Sequence, residues 1–409
     1  MENPGQRIAV IGLGALGLVT VKNLTEAGFD VTGFDKCEYV GGLWHFTEDD
    51  HLPEKFRGKR VVVAGLANTG SDVVEALRGI AKEIYISHDH GTIVFPRFDA
   101  SGKPYDHDLS NRKLAVADAL RKISPAAHEM MLNGLMRHMQ NCVFRIRPEF
   151  RLSPAPSFYH ALPTISDTIV RNLDEGHVAS VPNIAGIQGP KTLKMTDDTT
   201  LEADSIIWCT GYRSDYNILD PSVDPTRHTT PRWKSARGSR GRPLARLYQN
   251  IFSCDFPESL AFMGVVWFPA PAFSTFDLAA MAVAQVWAGR SSLPPKTEMN
   301  RAIDEHHAWL CTVAERGSTL PGWVKSADWL SWAHGAAGTG LDTRFGWGLE
   351  GWKFWWRHTE LYKLLSDGII SPHAYRLFEG KRKIWSGALE ELRYVNRDKL
   401  SHTLLAKAG

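Results

Sequence analysis

The chain has 409 residues, enough for roughly two to three domains, and 43% of them are hydrophobic, enough for a sizeable core. Lysine and arginine number 47 against 45 acidic residues, so the net charge of +2 argues against a surface built to bind nucleic acid. The five cysteines are widely spaced and form no C-x-x-C pair. Their pattern predicts no metal site and no dithiol centre, and it fits a reducing, intracellular compartment, which we take as the cytoplasm.

The first informative segment is a strand, a glycine turn, a helix and a second strand. An apolar run at residues 8–11 enters a G-x-G-x-x-G that begins at Gly12, helical spacing follows, and the second strand ends in Asp35. Gly12 is predicted to make the tight turn, Gly14 to admit a pyrophosphate, and Gly17 to let the helix pack closely. Asp35 would accept hydrogen bonds from an adenosine ribose. The pattern favours bound FAD or NAD over NADP, and over an empty structural turn.

A second unit of the same kind follows, with a G-x-A-x-x-G that begins at Gly65. It predicts a second dinucleotide, the reductant, and a unit kept only for packing is the alternative. The loop after its last strand contains Asp89, which would repel the 2′-phosphate of NADP, although His88, His90 or Arg97 could compensate in part. The residues alone leave the choice between NADPH and NADH open.

Further motifs lie along the chain: G-G-L-W at 41–44, F-R-G-K-R-V at 56–61, N-T-G-S-D at 68–72, C-T-G-Y at 209–212 and the apolar stretch 261–289. With the two turns, they resemble the flavin-containing monooxygenases, especially the fungal, dimethylaniline-monooxygenase-like branch. The resemblance implies an enzyme that uses FAD and NADPH to oxygenate a small organic substrate at nitrogen, sulfur or a related atom with molecular oxygen, through a flavin hydroperoxide. It implies FAD contacts at Gly12, Gly14, Gly17, Asp35, Leu43 and Trp44, an NADPH turn at Gly65, Asn68, Thr69, Gly70, Ser71 and Asp72, and closure of the flavin site by Thr210, Gly211 and Tyr212.

The chain also departs from that family. The two turns begin only 53 residues apart, a far shorter interval than the family has, and the block that is missing would have begun around His51. The family's F-x-G-x-x-x-H fingerprint before the second turn is not found. With no third strand run after the first unit, the runs at 205–209 and 259–266 are predicted to complete the first sheet.

The predicted fold is therefore α/β, with two Rossmann-like dinucleotide-binding units. A discontinuous FAD domain (1–50 and 201–299) would contain an inserted NAD(P)H domain (51–200), and a helical, aromatic-rich region (300–409) would follow. A capping box at 274–277 predicts a core helix from Leu278 to Trp287 with its N-terminus near the flavin. The aromatic cluster of this region is predicted to make a hydrophobic contact between helices or with the main body; it comprises Trp347, Trp352, Trp355, Trp356, Phe345 and Phe354. The wall of a substrate tunnel or a peripheral membrane patch is the alternative.

Because a bound cofactor would carry the chemistry, the sequence nominates no acid or base, and Asn68 is the best candidate for a polar group near the cofactors. No transmembrane segment is expected. Two other functions stay open at this stage. One is a truncated or impaired flavin- or nucleotide-binding relic without coupled oxygenation. The other is a single-cofactor NAD-dependent dehydrogenase.

Overall fold

The structure, a computed structural model, describes residues 5–45, 52–99, 102–345 and 348–397. Its strands are β1 (Arg7–Ile11), β2 (Asp30–Phe34), β3 (Arg60–Ala64), β4 (Glu83–Ser87), β5 (Val94–Phe95), β6 (Thr164–Ile165), β7 (Ala179–Val181), β8 (Ile184–Ile187), β9 (Thr192–Met195), β10 (Thr200–Glu202), β11 (Ser205–Trp208), β12 (Leu247–Tyr248) and β13 (Phe252–Ser253). Its α-helices are α1 (Ala15–Glu26), α2 (Asn68–Leu77), α3 (Asn111–Ile123), α4 (Pro125–Val143), α5 (Ile169–Asp174), α6 (Pro231–Ser235), α7 (Ala272–Trp287), α8 (Lys296–Arg316), α9 (Ser326–Ala337), α10 (Leu341–Phe345), α11 (Leu349–Arg357), α12 (Thr359–Asp367) and α13 (Ala388–Val395).

These elements divide between two compact units. The first unit falls within residues 1–46, 107–118 and 214–409, and the second unit within residues 47–106 and 119–213. Each unit contains one glycine turn of the strand–turn–helix type. The four predicted domain ranges stay predictions, and His51, where the missing block was expected to begin, lies outside the described residues.

In the first unit, β1 and β2 form a two-stranded parallel sheet. Val10 of β1 and Leu24 of α1 are buried together with Ala284 of α7, so α1 lies between the sheet and α7. Ten of the sixteen residues of α7 are buried, which makes it the core helix that the sequence predicts. Its N-terminus is six residues earlier than predicted: the helix begins after Pro271, so Ser274 and Asp277 lie inside it rather than capping it.

A buried polar network ties α1, α7 and the C-terminal segment together in the first unit. Asp277 accepts hydrogen bonds from Asn23 Nδ2 at 2.9 Å and from Arg376 Nη2 at 2.8 Å. Arg376 Nη1 also donates to Asp277, so the guanidinium and the carboxylate form a two-pronged ion pair. Arg382 Nη1 donates to Asn23 Oδ1 at 2.8 Å and Arg382 Nη2 to Glu26 at 2.7 Å. The role of Asp277 is therefore to pair with Arg376 in the core.

The second unit is a layered α/β structure. Its main sheet is parallel, with the order β11-β3-β4-β7. Because side chains alternate along a strand, Val61 and Val63 of β3 pack with α2 and α5 on one face. Val62 points to the other face and packs on the antiparallel sheet β10-β9-β8. The Rossmann-like fold class predicted for this chain is thereby confirmed at the level of strand order and connection.

The strand runs that were predicted to complete the first sheet do not do so. β11 pairs in parallel with β3, with Ser205 opposite Val61, and therefore belongs to the sheet of the second unit. The run at 259–266 contains a single bridge at Ala261 and a short 3₁₀ turn over 263–265 rather than a strand. Both expectations were wrong because an apolar run shows that a strand is buried but not which neighbour it pairs with.

Candidate cofactor sites

The glycine turn of the first unit has the geometry of a phosphate-binding turn. Gly12 adopts φ +91°, which favours glycine. A Cβ on Gly17 would lie 1.8 Å from the carbonyl oxygen of Gly12, so only glycine lets α1 approach β1 this closely. Gly14 differs, because a Cβ built there meets nothing within 4 Å. Space is therefore open beside the Gly14 backbone, where the sequence predicts a pyrophosphate.

The first turn of α1 suits a bound anion. Gly14 is the N-cap residue, it provides no side-chain cap, and no acidic residue occupies the first turn of the helix. The N-terminal N–H groups of a helix have no partner within the helix, and the helix dipole adds positive potential there. A diphosphate group fits this terminus by charge and by hydrogen bonding.

Asp35 follows β2 and lies beside the same turn. Its Oδ2 accepts a hydrogen bond from the Leu13 N–H at 2.6 Å, and its Oδ1 accepts one from the Cys37 N–H at 2.9 Å. These backbone hydrogen bonds, with that from Cys37 the larger effect, lower the pKa of Asp35, so its carboxylate is charged at neutral pH. Each carboxylate oxygen keeps acceptor capacity for a ribose hydroxyl.

The segment from Gly41 to Trp44 stands against the first turn. The Gly41 N–H donates to the Leu13 carbonyl at 2.8 Å, and a Cβ on Gly42 would come within 3.1 Å of the Gly14 Cα. The next two side chains are exposed: Leu43 by 89% and Trp44 by 74%. The Trp44 ring lies 5.4 Å from the ring of Phe273, which is in the first turn of α7. The N-terminus of α7 therefore lies close to the Gly41–Trp44 segment within the first unit.

The sequence does not predict the exposure of two apolar residues at the end of the first sheet. Ile11, at the end of β1, and Phe34, at the end of β2, are both largely exposed although they end buried-type strand runs. With Leu43 and Trp44, they form an apolar rim around the turn. Ile11 and Phe34 are the last residues of their strands, so they lie at the carboxyl end of the two-stranded sheet, beside the glycine turn.

The glycine turn of the second unit is equally tight. Gly65 has φ +114°, and a Cβ there would lie 2.4 Å from the Cys209 carbonyl oxygen. A Cβ on Gly70 would lie 2.0 Å from the Gly65 carbonyl oxygen, so this glycine has the packing role that Gly17 has in the first turn. Ala67, at the middle glycine position, is exposed and is the N-cap residue of α2.

The predicted residues at the start of α2 are partly engaged within the protein. Asn68 Oδ1 accepts a hydrogen bond from the Ile165 N–H at 2.8 Å, so it holds β6 next to the turn. Ser71 is buried and donates to the Asn68 carbonyl at 2.9 Å, whereas Thr69 is exposed at the helix start. Asp72 forms an ion pair with Arg97 at 3.0 Å. Asn68 and Asp72 are also exposed, but both are engaged within the protein, which leaves Thr69 and the backbone as the parts of this motif best placed for a ligand.

The loop after β4 exposes a carboxylate. Asp89 is exposed and lies 3.3 Å from His90. His88 is buried between Ser180 Oγ at 2.9 Å and the His90 carbonyl at 2.8 Å, and desolvation lowers its pKa, so it is neutral. Arg97 is held by Asp72 and by Asp167. His90 contacts Asp89 itself and the Gly91 carbonyl at 2.8 Å, so all three residues that could compensate for Asp89 already have partners.

Thr210, Gly211 and Tyr212 follow the carboxyl end of β11, as the sequence predicts. In their own unit they lie next to the second turn, through the approach of Cys209 to Gly65. Gly211 has φ +85°, and the Tyr212 side chain is almost fully exposed. Their predicted part in closing the flavin site stays a prediction.

Comparison with known proteins agrees with this geometry. The family model "flavin-binding monooxygenase-like" matches residues 5–52 and 47–318. Monooxygenase aurF of Gibberella zeae is 33% identical over 519 aligned positions, which cover 97% of this chain and 98% of that protein. Flavin-containing monooxygenase 5 of Oryctolagus cuniculus is 25% identical over 70% of this chain and 50% of its own length. The crystal structure of OTEMO in complex with FAD and NADP shares the fold, with a TM-score of 0.53 at 13% identity over 76% of this chain and 91% of that chain.

The same comparisons bear on the short interval between the turns. The alignment with aurF extends over 519 positions, 110 more than the 409 residues of this chain, so at least that many positions face gaps in it. The family match also breaks into two segments that meet at residues 47–52, where the sequence predicts the missing block. The resemblance noted from the motifs, the oxidoreductase class and the flavin cofactor of the family are confirmed. With both glycine turns built as described, the chain belongs to the flavin-binding monooxygenase-like family.

Proposed function

We propose that this chain binds FAD at the first turn and NADPH at the second, and that it oxygenates a small organic substrate at nitrogen, sulfur or a related atom. One observation carries the proposal. The N-terminus of α1 is open beside Gly14, where a side chain would otherwise stand, and the charged Asp35 lies next to it. This combination suits the ADP half of a dinucleotide.

The residues of this chain then bind and orient. The N–H groups of α1 would hold the FAD diphosphate, Asp35 the ribose, and Leu43 and Trp44 would lie toward the apolar part of the cofactor. Thr69 and the backbone at the start of α2 would hold the nicotinamide cofactor. Bound FAD would supply the redox and oxygen-activating chemistry, so the chain itself needs no catalytic acid or base.

A second candidate function is an impaired flavoprotein that consumes coenzyme without coupled oxygenation. The observation that favours it is the exposed rim of Ile11, Phe34, Leu43 and Trp44. Coupled oxygenation demands that water be kept from the reacting flavin, and the rim offers no cover in the described part of the chain. A single-cofactor dehydrogenase is the third candidate, and it would leave the protein without flavin.

One preparation separates these functions. We would purify the full chain with excess FAD, record flavin absorbance, add NADPH in air with a small thioether or a tertiary amine, and compare coenzyme consumed with hydrogen peroxide released. Yellow protein with product and little peroxide supports the proposal. Yellow protein with peroxide equal to coenzyme consumed supports the impaired flavoprotein. Protein that stays colourless and reduces or oxidises NAD supports the dehydrogenase, and the oxygenase proposal then fails.

Substitution of Asp89 tests which nicotinamide cofactor the second turn binds. The exposed carboxylate of Asp89, just after β4, disfavours a 2′-phosphate. We therefore expect the wild-type protein to use NADPH less efficiently than a variant without this carboxylate. We expect Asp89→Ser to raise the ratio of kcat/KM for NADPH over NADH by roughly tenfold, which is about 1.4 kcal/mol. Glu149→Ser, which removes another exposed carboxylate of the second unit, is the control. An unchanged ratio in Asp89→Ser would place the 2′-phosphate away from this loop.

A further inference from the structure

The helix α11 presents an unusual aromatic surface. One side of this helix is anchored, because Gly351 and Phe354 are buried and the Phe354 ring packs at 5.5 Å from Phe378 and 6.3 Å from Tyr362. The predicted packing of aromatic residues between helices is therefore correct for Phe354. It is wrong for the three tryptophans of α11, which are exposed, and Trp347 lies outside the described residues.

The outward side of α11 is apolar. Leu349 is 78% exposed, Trp352 56% and Trp356 78%, and their spacing of three and four residues places them on one side of the helix. Trp355 is also exposed, and its ring contacts those of Trp352 at 5.9 Å and Trp356 at 6.3 Å. A contiguous indole surface in water is costly, and large exposed apolar patches mark interaction sites. Tryptophan is the side chain most suited to the boundary between water and lipid.

A basic cleft of about 340 Å³ adjoins this surface. It is lined by Thr343, Arg344, Glu350, Lys353, Phe354, Arg357 and His358. Three permanent cations face one carboxylate, and that carboxylate, Glu350, is engaged by Lys353 at 2.9 Å, which lowers its pKa. Arg344 is fixed by its bond to the Gly340 carbonyl and by stacking 3.9 Å above the Phe378 ring. The cleft thus keeps positive charge for an anion.

Cations and indoles alternate along the same helix. Lys353 directly follows Trp352 and Arg357 directly follows Trp356, so each cation lies about 100° around the helix from an indole. A helix with tryptophan on one side and lysine or arginine beside it lies in the plane of a membrane surface, with the rings among the acyl chains and the cations at the phosphates. Within the described residues no helix is both long enough and apolar enough to cross a membrane, so a contact made by α11 would be peripheral.

We propose that α11 docks the protein on an anionic phospholipid bilayer, with Leu349, Trp352 and Trp356 inserted at the interface and Lys353 and Arg357 at the headgroup phosphates. A second copy of this chain fits less well, because a stable dimer interface takes about 20–30 residues a side and this surface has four apolar side chains. The charge of the cleft complements phosphate, which an apolar dimer contact would not need.

Vesicle flotation tests the proposal with the full chain. We expect the protein to float with vesicles of phosphatidylcholine containing about 30% phosphatidylserine at about 0.1 M salt, and to bind pure phosphatidylcholine weakly. Trp352→Ala with Trp356→Ala should reduce binding to the anionic vesicles roughly tenfold or more. Lys353→Glu with Arg357→Glu should reduce it by a similar factor while leaving the weak binding to phosphatidylcholine.

Matched controls make the result decisive. Met130→Ala with Leu135→Ala removes two exposed apolar side chains from α4 and should leave vesicle binding unchanged. All these side chains are exposed, so circular dichroism and the thermal unfolding midpoint should match the wild type. The proposal is overturned if the wild type does not float, if the tryptophan pair floats like the wild type, or if the tryptophan pair instead abolishes a concentration-dependent dimer in sedimentation.

Discussion

At the scale of single residues, two glycines of the first turn, Gly14 and Gly17, have separable roles. Gly17 is required for the fold, because a Cβ there would overlap the Gly12 carbonyl. Gly14 is required only where a ligand approaches, because a Cβ there points into open space and its φ of −68° suits any residue. The sequence pattern treats both glycines alike, and only the geometry separates the structural one from the one that faces the cofactor.

We therefore expect Gly14→Val to fold and to lose FAD. The N-cap position costs about 1 kcal/mol for valine against glycine, so the unfolding midpoint should fall only slightly. The FAD dissociation constant should rise roughly tenfold or more, because the isopropyl group fills the space beside the diphosphate. Fluorescence titration with FAD measures it. Gly17→Val is the contrasting variant, and it should fail to yield stable protein; FAD affinity unaltered in Gly14→Val would contradict the site.

The same scale shows what the sequence could reveal about the site. Gly12, Gly17 and Asp35 could be predicted because each has a position-specific backbone role that one residue type fulfils. The engagement of Asn68 by Ile165 and of Asp72 by Arg97 could not, because these partners are 97 and 25 residues away and no pattern links them. The exposure of Ile11 and Phe34 was also missed, since apolar residues that end a buried-type strand run are usually covered.

At the scale of elements, the sequence predicts where helices and strands lie more readily than which strands pair with each other. The strands β1 to β4 and the helix α7 follow from apolar runs and from 3.6-residue spacing. The membership of β11 in the second sheet depends on pairing over a long sequence separation, Ser205 with Val61. The start of α7 was misplaced because Ser274 and Asp277 matched a capping box, whereas the structure uses Asp277 as a buried acid.

The ion pair of Asp277 is expected to govern how firmly α1, α7 and the C-terminal segment hold together. Arg376→Met would leave the Asp277 carboxylate buried beside Asn23 without its cation. We expect a loss of about 3–5 kcal/mol in the free energy of unfolding, measured by urea denaturation. Glu350→Gln, which breaks an exposed ion pair, should leave the free energy of unfolding almost unchanged.

A second variant keeps this prediction testable if the first protein is too unstable to purify. Asp277→Leu combined with Arg376→Met removes both charges, and it should lose less than Arg376→Met alone, since no unpaired charge then stays in the core. Equal losses in the single and double variants would mean that the side chains stabilise by packing rather than by pairing.

At the scale of the whole molecule, buried histidines make stability depend on pH. Burial lowers the pKa of His306, His307 and His334 to about 4, so all three are neutral in the folded protein. In the unfolded chain they titrate near 6.5. The unfolded state therefore gains protons first, and stability present above pH about 6.5 is lost as the pH falls toward 4.

We expect the free energy of unfolding to be lower at pH 5 than at pH 7.5, by roughly 2 kcal/mol for each of these histidines. Urea denaturation at the two pH values measures the difference. His307→Gln should make the difference between the two pH values smaller, because the glutamine side chain cannot bind the proton. His177→Gln, at an exposed position, is the control and should leave the difference unchanged. If the free energy of unfolding changes equally between the two pH values in the wild type and in His307→Gln, then His307 does not contribute to the pH dependence.

The order in which the chain is made gives the discontinuous first unit a particular difficulty. Arg382 reaches Asn23 across 359 residues of sequence. At a synthesis rate of about 10 residues per second, α1 emerges from the ribosome roughly half a minute before its last partner. The second unit needs nothing beyond residue 213, so it can form while translation continues. Until α7 has also been made, Val10 and Leu24 of the nascent β1–α1 segment lack the cover of Ala284, so this segment exposes apolar side chains that a chaperone can bind.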